Sequence, residues 1–213
     1  MNYRKPIPIT RRALVLGAPL VVAGCSVPRG HFGWGAEGAY GAFNDNGVAI
    51  PALGALDANV VRRRVVWPNP ERPGSVVVDV PQRYLYLVQR GGTAMRYAVG
   101  VGRDEVSNFH GQALVGRKEK WPRWTPTAEM MALMPAYRAY ASGMTGGIDN
   151  PLGARALYLY RGGQDTYFRL HGTNEPDSIG QAVSSGCIRL FNHDIVDLYH
   201  RVPLGAAVTV ISG

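Results

Sequence analysis

The chain has 213 residues and is 46% hydrophobic, enough for one folded domain with its own core and a leader. Its 27 glycines and 15 prolines favour strands and turns over long helices. The formal charge is +8, but Arg4, Lys5, Arg11 and Arg12 fall in a leader without acids, and removing them leaves +4, scattered apart from Arg62-Arg63-Arg64. No basic stripe interleaved with aromatics is present, which argues against a nucleic-acid partner, and a mildly basic surface tolerates an acidic polymer such as the cell wall.

Residues 1–24 have the form of an export signal. A basic region ends at Arg11-Arg12, and an apolar run from Ala13 to Ala23 follows, too short and too broken by Gly17 and Pro19 for a membrane span. It closes on Val22-Ala23-Gly24-Cys25, which resembles a bacterial lipobox in which Cys25 takes lipid and becomes the first mature residue. Residues 10–14 also resemble a twin-arginine signal, so the Sec and twin-arginine routes both stay open. The expected location is periplasmic, anchored to a lipid membrane through Cys25. Ser26 is compatible with outer-membrane sorting. Acyl chains at ~0.8 kcal/mol per buried methylene would hold such an anchor firmly.

Residues 25–73 read as a flexible linker, rich in Gly, Ala, Asn and Pro, with a short helix expected over 52–61. From Gly74 the pattern turns to strands. Val76 to Val80 is one, and Tyr84 to Val88 and Met95 to Val101 form a hairpin about Gly91-Gly92. Residues 103–127 read as loop, 128–134 as a short helix ended by Pro135, and 143–153 as another loop. Leu157 to Tyr160 and Tyr167 to Leu170 pair across the turn at 161–165, so His171 stands at a strand end. Asn192 is placed to cap a helix running to Val202, whose Ile195, Leu198, Tyr199 and Val202 follow helical spacing. A last strand spans 207–211. The expectation is one mostly-β, β-rich α+β domain over 74–213.

Residues 171–190 carry the chemistry: His171-Gly172-Thr173-Asn174, then Ser184-Ser185-Gly186-Cys187-Ile188-Arg189-Leu190. With Cys25 lipidated, Cys187 is the only free thiol of an exported chain, in a compartment that normally pairs cysteines. A thiol on a tight loop with an imidazole in reach is what cysteine nucleophile chemistry requires. An adjacent imidazole lowers a thiol pKa and stabilises the thiolate as an ion pair. His171 is the candidate base, and a backbone carbonyl such as that of Gly172 can orient it. The N–H groups of Gly186 and Cys187 are candidates for an oxyanion hole, and Ser184, Ser185 and Arg189 for substrate contacts. Arg189 either binds a substrate carboxylate or braces the loop.

The remaining residues have plainer readings. His110 is expected at the surface. His193 and His200 lack metal-ligand spacing, so no metal and no cofactor is expected. Trp121 and Trp124 line a cleft or pack locally, and Tyr84, Tyr86, Tyr158 and Tyr160 pack on a sheet. No Gly-x-Ser-x-Gly elbow surrounds Ser184 or Ser185, which leaves the thiol as the better nucleophile.

The full string, with Asn192-His193-Asp194 and Leu198-Tyr199, closely resembles the L,D-transpeptidase catalytic (YkuD-like) domain. The resemblance covers roughly residues 74–213 and is strongest from His171 to Val210. Trp124-Thr125-Pro126-Thr127 and Asn150-Pro151-Leu152-Gly153 resemble that family's substrate-side loops less specifically. It implies a β-sandwich with short helices, Cys187 as nucleophile, His171 as base and the Gly172 carbonyl holding the imidazole. It further implies acyl transfer on peptidoglycan stem peptides. Cys187 attacks at diaminopimelate, D-Ala leaves, and an amine resolves the thioester as a 3→3 cross-link or by attaching an outer-membrane protein or lipoprotein. Thioester chemistry also implies covalent inhibition by carbapenems. Hydrolysis on the same site, as a carboxypeptidase or endopeptidase, and a catalytically inactive wall-binding lipoprotein are the rival readings. Some family members carry a second histidine where this chain has Ser185.

Overall fold

A computed structural model describes residues 39–103 and 108–211. The expected signal peptide, Cys25 and its lipidation lie outside these residues. In chain order the strands are β1 (Phe43–Asp45), β2 (Val48–Ile50), β3 (Arg63–Val66), β4 (Val76–Asp79), β5 (Tyr84–Gln89), β6 (Thr93–Ala98), β7 (Val101–Gly102) and β8 (Gly111–Lys120). Helix α1 (Ala128–Leu133) follows, with a 3-10 turn over Pro135–Tyr140, then β9 (Arg155–Arg161), β10 (Gln164–His171), β11 (Ala182–Ser184), β12 (Ile188–Arg189), α2 (Asn192–Arg201) and β13 (Ala207–Ile211). The β-rich α+β class is therefore observed.

Nine strands form one sheet in the order β12-β10-β9-β8-β13-β4-β5-β6-β3. Its two halves line a single core. Val76, Val78, Leu85, Leu87 and Met95 from one half meet Leu157, Leu159, Leu170 and Ile188 from the other, with Ile195, Leu198 and Val202 of α2 among them. Burial of this set is the main driving force for the fold, at about 25 cal/mol per Å² of apolar surface removed from water. The α2 stripe follows the helical spacing read from the sequence. Asn192 does not cap it, however, because the cap position is Phe191 and has no side-chain hydrogen bond.

Two expectations are corrected. The stretch expected to be a linker is, from residue 39 on, packed structure. β3 adds an edge strand to the sheet beside β6. Trp67 covers the second face of β4 and β5, packing with Val77, Val88 and Ala94. Tyr40 is buried with Ala98, Ile179 and Phe191. β1 and β2 form a hairpin about Asn46-Gly47, both at positive φ, the dipeptide that suits a two-residue turn. No helix forms over 52–61.

The second correction is β8, a ten-residue strand within the segment expected as loop. It pairs with β9 and β13. Its outward positions mix Leu114 with polar residues such as Gln112 and Arg117, and it is interrupted at Gly116, so neither a clean alternation nor a long apolar run marks it. The register with β9 shifts between Val115 and Arg117, which leaves Gly116 as an inserted residue. A Cβ there would meet the Tyr160 ring at 2.4 Å. The insertion turns Arg117 to the sheet face opposite Val115, which is fully buried in the core.

Candidate active site

The strand registers set out two rows of side chains on the face of the sheet opposite the core. Leu157, Leu170 and Ile188 are register partners and all are buried in the core. Because side chains alternate along a strand, their neighbours point the other way. One row runs Glu119, Ala156, His171, Arg189 across β8, β9, β10 and β12. The other runs Arg117, Tyr158, Arg169 and ends at Cys187, the residue before β12. β10 and β12 are parallel, so Cys187 and His171 are diagonal neighbours on one face across a strand spacing of ~4.8 Å.

His171 is the last residue of β10 and is 5% exposed. Its Nδ1 lies 2.6 Å from the carbonyl oxygen of Gly172. A carbonyl only accepts, so Nδ1 carries the proton and Nε2 keeps its lone pair. Burial and the Arg189 guanidinium push the imidazole pKa down to about 3, against the pull of the Gly172 carbonyl. It is therefore a neutral base at pH 7.

Cys187 is half-buried. Its Sγ–H makes a long contact of 3.9 Å to the carbonyl of Tyr167. Burial pushes the thiol above its ordinary value, and Arg169 and Arg189 pull it back. The resting pair is thiol and neutral imidazole, not the thiolate–imidazolium ion pair that proximity alone suggests. The charges of the two arginines and a backbone hydrogen bond from Arg169 offset only part of the cost of a desolvated sulfur anion.

Ser184 and Gly186 differ from expectation. Ser184 is 1% exposed. Its hydroxyl donates to the Cys187 carbonyl at 2.8 Å and accepts from the Gly186 N–H at 3.0 Å. Ser184 thus closes the thiol turn instead of facing substrate, and the Gly186 N–H is already engaged. Of the two donors expected for an oxyanion hole, only the Cys187 N–H remains. Gly186 sits at φ 124°, a conformation open to glycine. Ser185 is exposed. Arg189 braces the loop, with Nη1 2.6 Å from Glu175 Oε2.

Behind His171 the backbone is held by a cluster of hydrogen bonds. Asn192 Oδ1 accepts from Ala154 N–H at 2.9 Å and Thr173 N–H at 3.3 Å, and its Nδ2 donates to Thr173 O at 2.9 Å. Gly172 N–H donates to Arg155 O at 3.0 Å. Arg155 is 1% exposed and forms a two-pronged ion pair with Asp45 of β1 at 2.6 and 2.7 Å. Sequence reading missed Asn192, Arg155 and Asp45 in these roles. It also missed Arg169, although a position two before His171 on a strand shares its face.

The remaining candidates are structural. Trp124 is buried against Tyr137 at 5.2 Å, and the Trp121 Nε1–H donates to Asp45 O at 3.2 Å. Asn150 is fully buried and donates to the carbonyls of Pro122, Met144 and Thr145. His193 packs on Tyr40 and Phe43, with Nε2 3.0 Å from Gly41 O. His110 is exposed.

Residues 73–210 match the model of the L,D-transpeptidase catalytic domain, YkuD. The probable L,D-transpeptidase YbiS of Escherichia coli K12 is 34% identical over 158 residues, 71% of this chain and 48% of that protein. The putative L,D-transpeptidase YqjB of Bacillus subtilis is 38% identical over 151 residues, 68% of this chain and 77% of that protein. A Brucella melitensis crystal structure, described as a probable carnitine operon oxidoreductase, is 44% identical with a TM-score of 0.50, covering 73% of this chain and 96% of that one. The chain spans about half the length of YbiS and the similar Escherichia coli relatives.

Proposed function

Because this chain belongs to the L,D-transpeptidase catalytic domain family, we propose that it is a peptidoglycan L,D-transpeptidase with Cys187 as nucleophile and His171 as base. The observation that carries this reading is the arrangement at the ends of β10 and β12. Cys187 and His171 share one sheet face, and the Nδ1 contact to Gly172 at 2.6 Å fixes the tautomer in which Nε2 accepts a proton.

The resting pair is neutral, so the thiol proton moves as the bond forms. Sγ attacks the carbonyl at the L-centre of diaminopimelate in the donor stem while Nε2 of His171 takes the thiol proton. The Cys187 N–H, left over when Ser184 engages that of Gly186, is the donor assigned to the developing oxyanion. Collapse breaks the amide bond. The imidazolium returns the proton to the leaving D-Ala amine, and a thioester remains on Cys187. An acceptor amine then attacks the thioester carbonyl and gives up its proton to His171. The product is a 3→3 cross-link or a protein attached to the wall. The thiol is regenerated.

The same nucleophile opens a carbapenem ring to an acyl-enzyme, so these drugs are expected to inactivate the protein. The leader supports export to the periplasm and a lipid anchor at Cys25, on the strength of Val22-Ala23-Gly24-Cys25.

The test is incubation of residues 26–213 with disaccharide-tetrapeptide beside Cys187→Ala, read by mass spectrometry. A dimer lacking one D-Ala, absent from the variant, is the expected product. Tripeptide alone means that water resolves the thioester, which makes the protein a carboxypeptidase. Equal turnover by wild type and Cys187→Ala excludes the mechanism.

A further inference from the structure

Two irregularities in neighbouring strands converge on one tyrosine. On β8 the inserted Gly116 turns Arg117 outward to face Tyr158. On β10 the register shifts between Asp165 and Arg169, which brings Arg169 opposite the same Tyr158 from the other side. The β10 irregularity holds Tyr167 at φ 63°, strained for a residue with a side chain. It is clasped by Asp165 Oδ1, which accepts from Tyr167 N–H at 2.8 Å, and by Thr166 Oγ1, which accepts from Phe168 N–H at 3.2 Å.

The result is a guanidinium–phenol–guanidinium stack across three strands. The Arg117 and Arg169 guanidinium carbons lie 3.6 and 4.7 Å from the Tyr158 ring centroid. Tyr158 is 3% exposed, and its hydroxyl donates to Glu119 Oε2 at 2.7 Å. Arg117 pairs with Glu119, and Arg169 with Asp165 at 3.3 Å. The next position in the row beyond Arg169 is Cys187.

A guanidinium stacked on a ring keeps its N–H fork at the edge, the geometry that takes a carboxylate. We propose that Arg169, held by Tyr158 and Arg117, is a carboxylate-binding subsite beside the thiol. Asp165 occupies it in the free protein and a free carboxylate of the donor stem peptide displaces Asp165 when substrate binds. The assignment rests on the transpeptidase reading for its ligand, and on the stack for its place. Two donor carboxylates lie near the scissile bond: the second carboxylate of diaminopimelate and the terminal carboxylate of D-Ala.

The test uses the full chain and two reagents that differ in one charge. Cys187 is alkylated with iodoacetate and, separately, with iodoacetamide, and the peptide carrying Cys187 is quantified by mass spectrometry. The ratio of the two rates cancels changes in thiol ionisation. Arg169→Gln is expected to lower the ratio at least about fivefold; a smaller change in a variant with the wild-type melting temperature overturns the proposal. Asp165→Asn keeps an acceptor for the Tyr167 N–H while freeing the guanidinium, so its ratio is expected to rise. If Arg169→Gln fails to fold, no rise in Asp165→Asn overturns the proposal instead. Tetrapeptides amidated at one carboxylate or the other then identify the ligand group, since the Arg169→Gln penalty in KM disappears for the peptide whose recognised carboxylate is blocked. A penalty that persists unchanged for both peptides overturns the assignment to the donor stem. A ratio that responds without any peptide turnover keeps the subsite and removes the transpeptidase reading. Turnover with an unresponsive ratio does the reverse.

Discussion

The His171 Nδ1–H donates to the carbonyl of its own chain neighbour, Gly172, at 2.6 Å, and the Gly172 N–H donates to Arg155 O. The orienting partner of the imidazole is therefore main chain, and its position depends on how residue 172 sits. A Cβ at 172 would meet Asn192 Oδ1 at 2.3 Å and Ala154 N at 2.9 Å. Both atoms are already hydrogen-bonded to each other and neither can retreat cheaply. Gly172→Ala is expected to cost about 1–3 kcal/mol, with a fall in kcat of more than about tenfold as the carbonyl turns away from Nδ1. Thermal melts and steady-state kinetics on one preparation separate the two effects.

The buried imidazole also predicts a pH dependence of stability. Its pKa falls from 6.5 to about 3 on folding, so between those values the unfolded chain binds the proton that the folded chain refuses. This contribution is complete above about pH 6.5 and is lost as pH falls toward 3. Urea melts at about pH 7 and pH 4.5 should show wild type losing about 2 kcal/mol more than His171→Gln. Equal losses would show that the imidazole is not buried neutral.

Ser184 and Ser185 are adjacent and chemically identical, yet the structure gives them different work. Ser184→Ala removes the hydroxyl that ties Cys187 O to Gly186 N–H. About 1 kcal/mol of stability should go with it, and slower alkylation of Cys187 should accompany the looser turn. Ser185→Ala is expected to leave melting temperature within the range of a surface change, about 0.5 kcal/mol. A larger effect at Ser185 than at Ser184 would invert this assignment.

Asp45 lies outside the segment that matches the family, residues 73–210, but it is the carboxylate partner of the buried Arg155. Burial raises the Asp45 carboxyl, and the hydrogen bonds and charge of Arg155 more than offset this, leaving it below its ordinary value. Asp45→Ala strands a guanidinium that is 1% exposed, so a loss of about 3–5 kcal/mol is expected in urea melts. A chain trimmed to residues 73–210 loses Asp45, Tyr40 and Trp67 together and should be less stable still. Wild-type stability of the trimmed chain would return residues 39–72 to the linker reading.

Much of this was legible in the residues. The hairpin about Gly91-Gly92, the β9–β10 pair, α2 and β13 all carry an apolar period or a turn signal, and both follow from local stereochemistry. His171 at a strand end and Cys187 after a glycine turn were legible for the same reason. β8 was not, because Gly116 breaks its alternation and its outward face carries Arg117 and Glu119. Residues 39–73 were not, because isolated apolar residues such as Tyr40 and Trp67 have no period. Only the surface they cover explains them.

By itself, then, the sequence determined the strand-rich class, the family and the thiol and imidazole that the fold brings to one sheet face. Each is written in contiguous residues or in local periodicity. The tertiary structure alone decided what surrounds that pair: Ser184 as a brace, Arg155 and Asp45 behind the imidazole, and Arg169 stacked on Tyr158 beside the thiol. These contacts join residues as far apart as 45 and 155, and the last of them depends on the irregularity that shifts the register of β10 against β9. A one-residue slip exchanges the two faces of a strand, and a slip is set by pairing with a partner strand that the local sequence does not name.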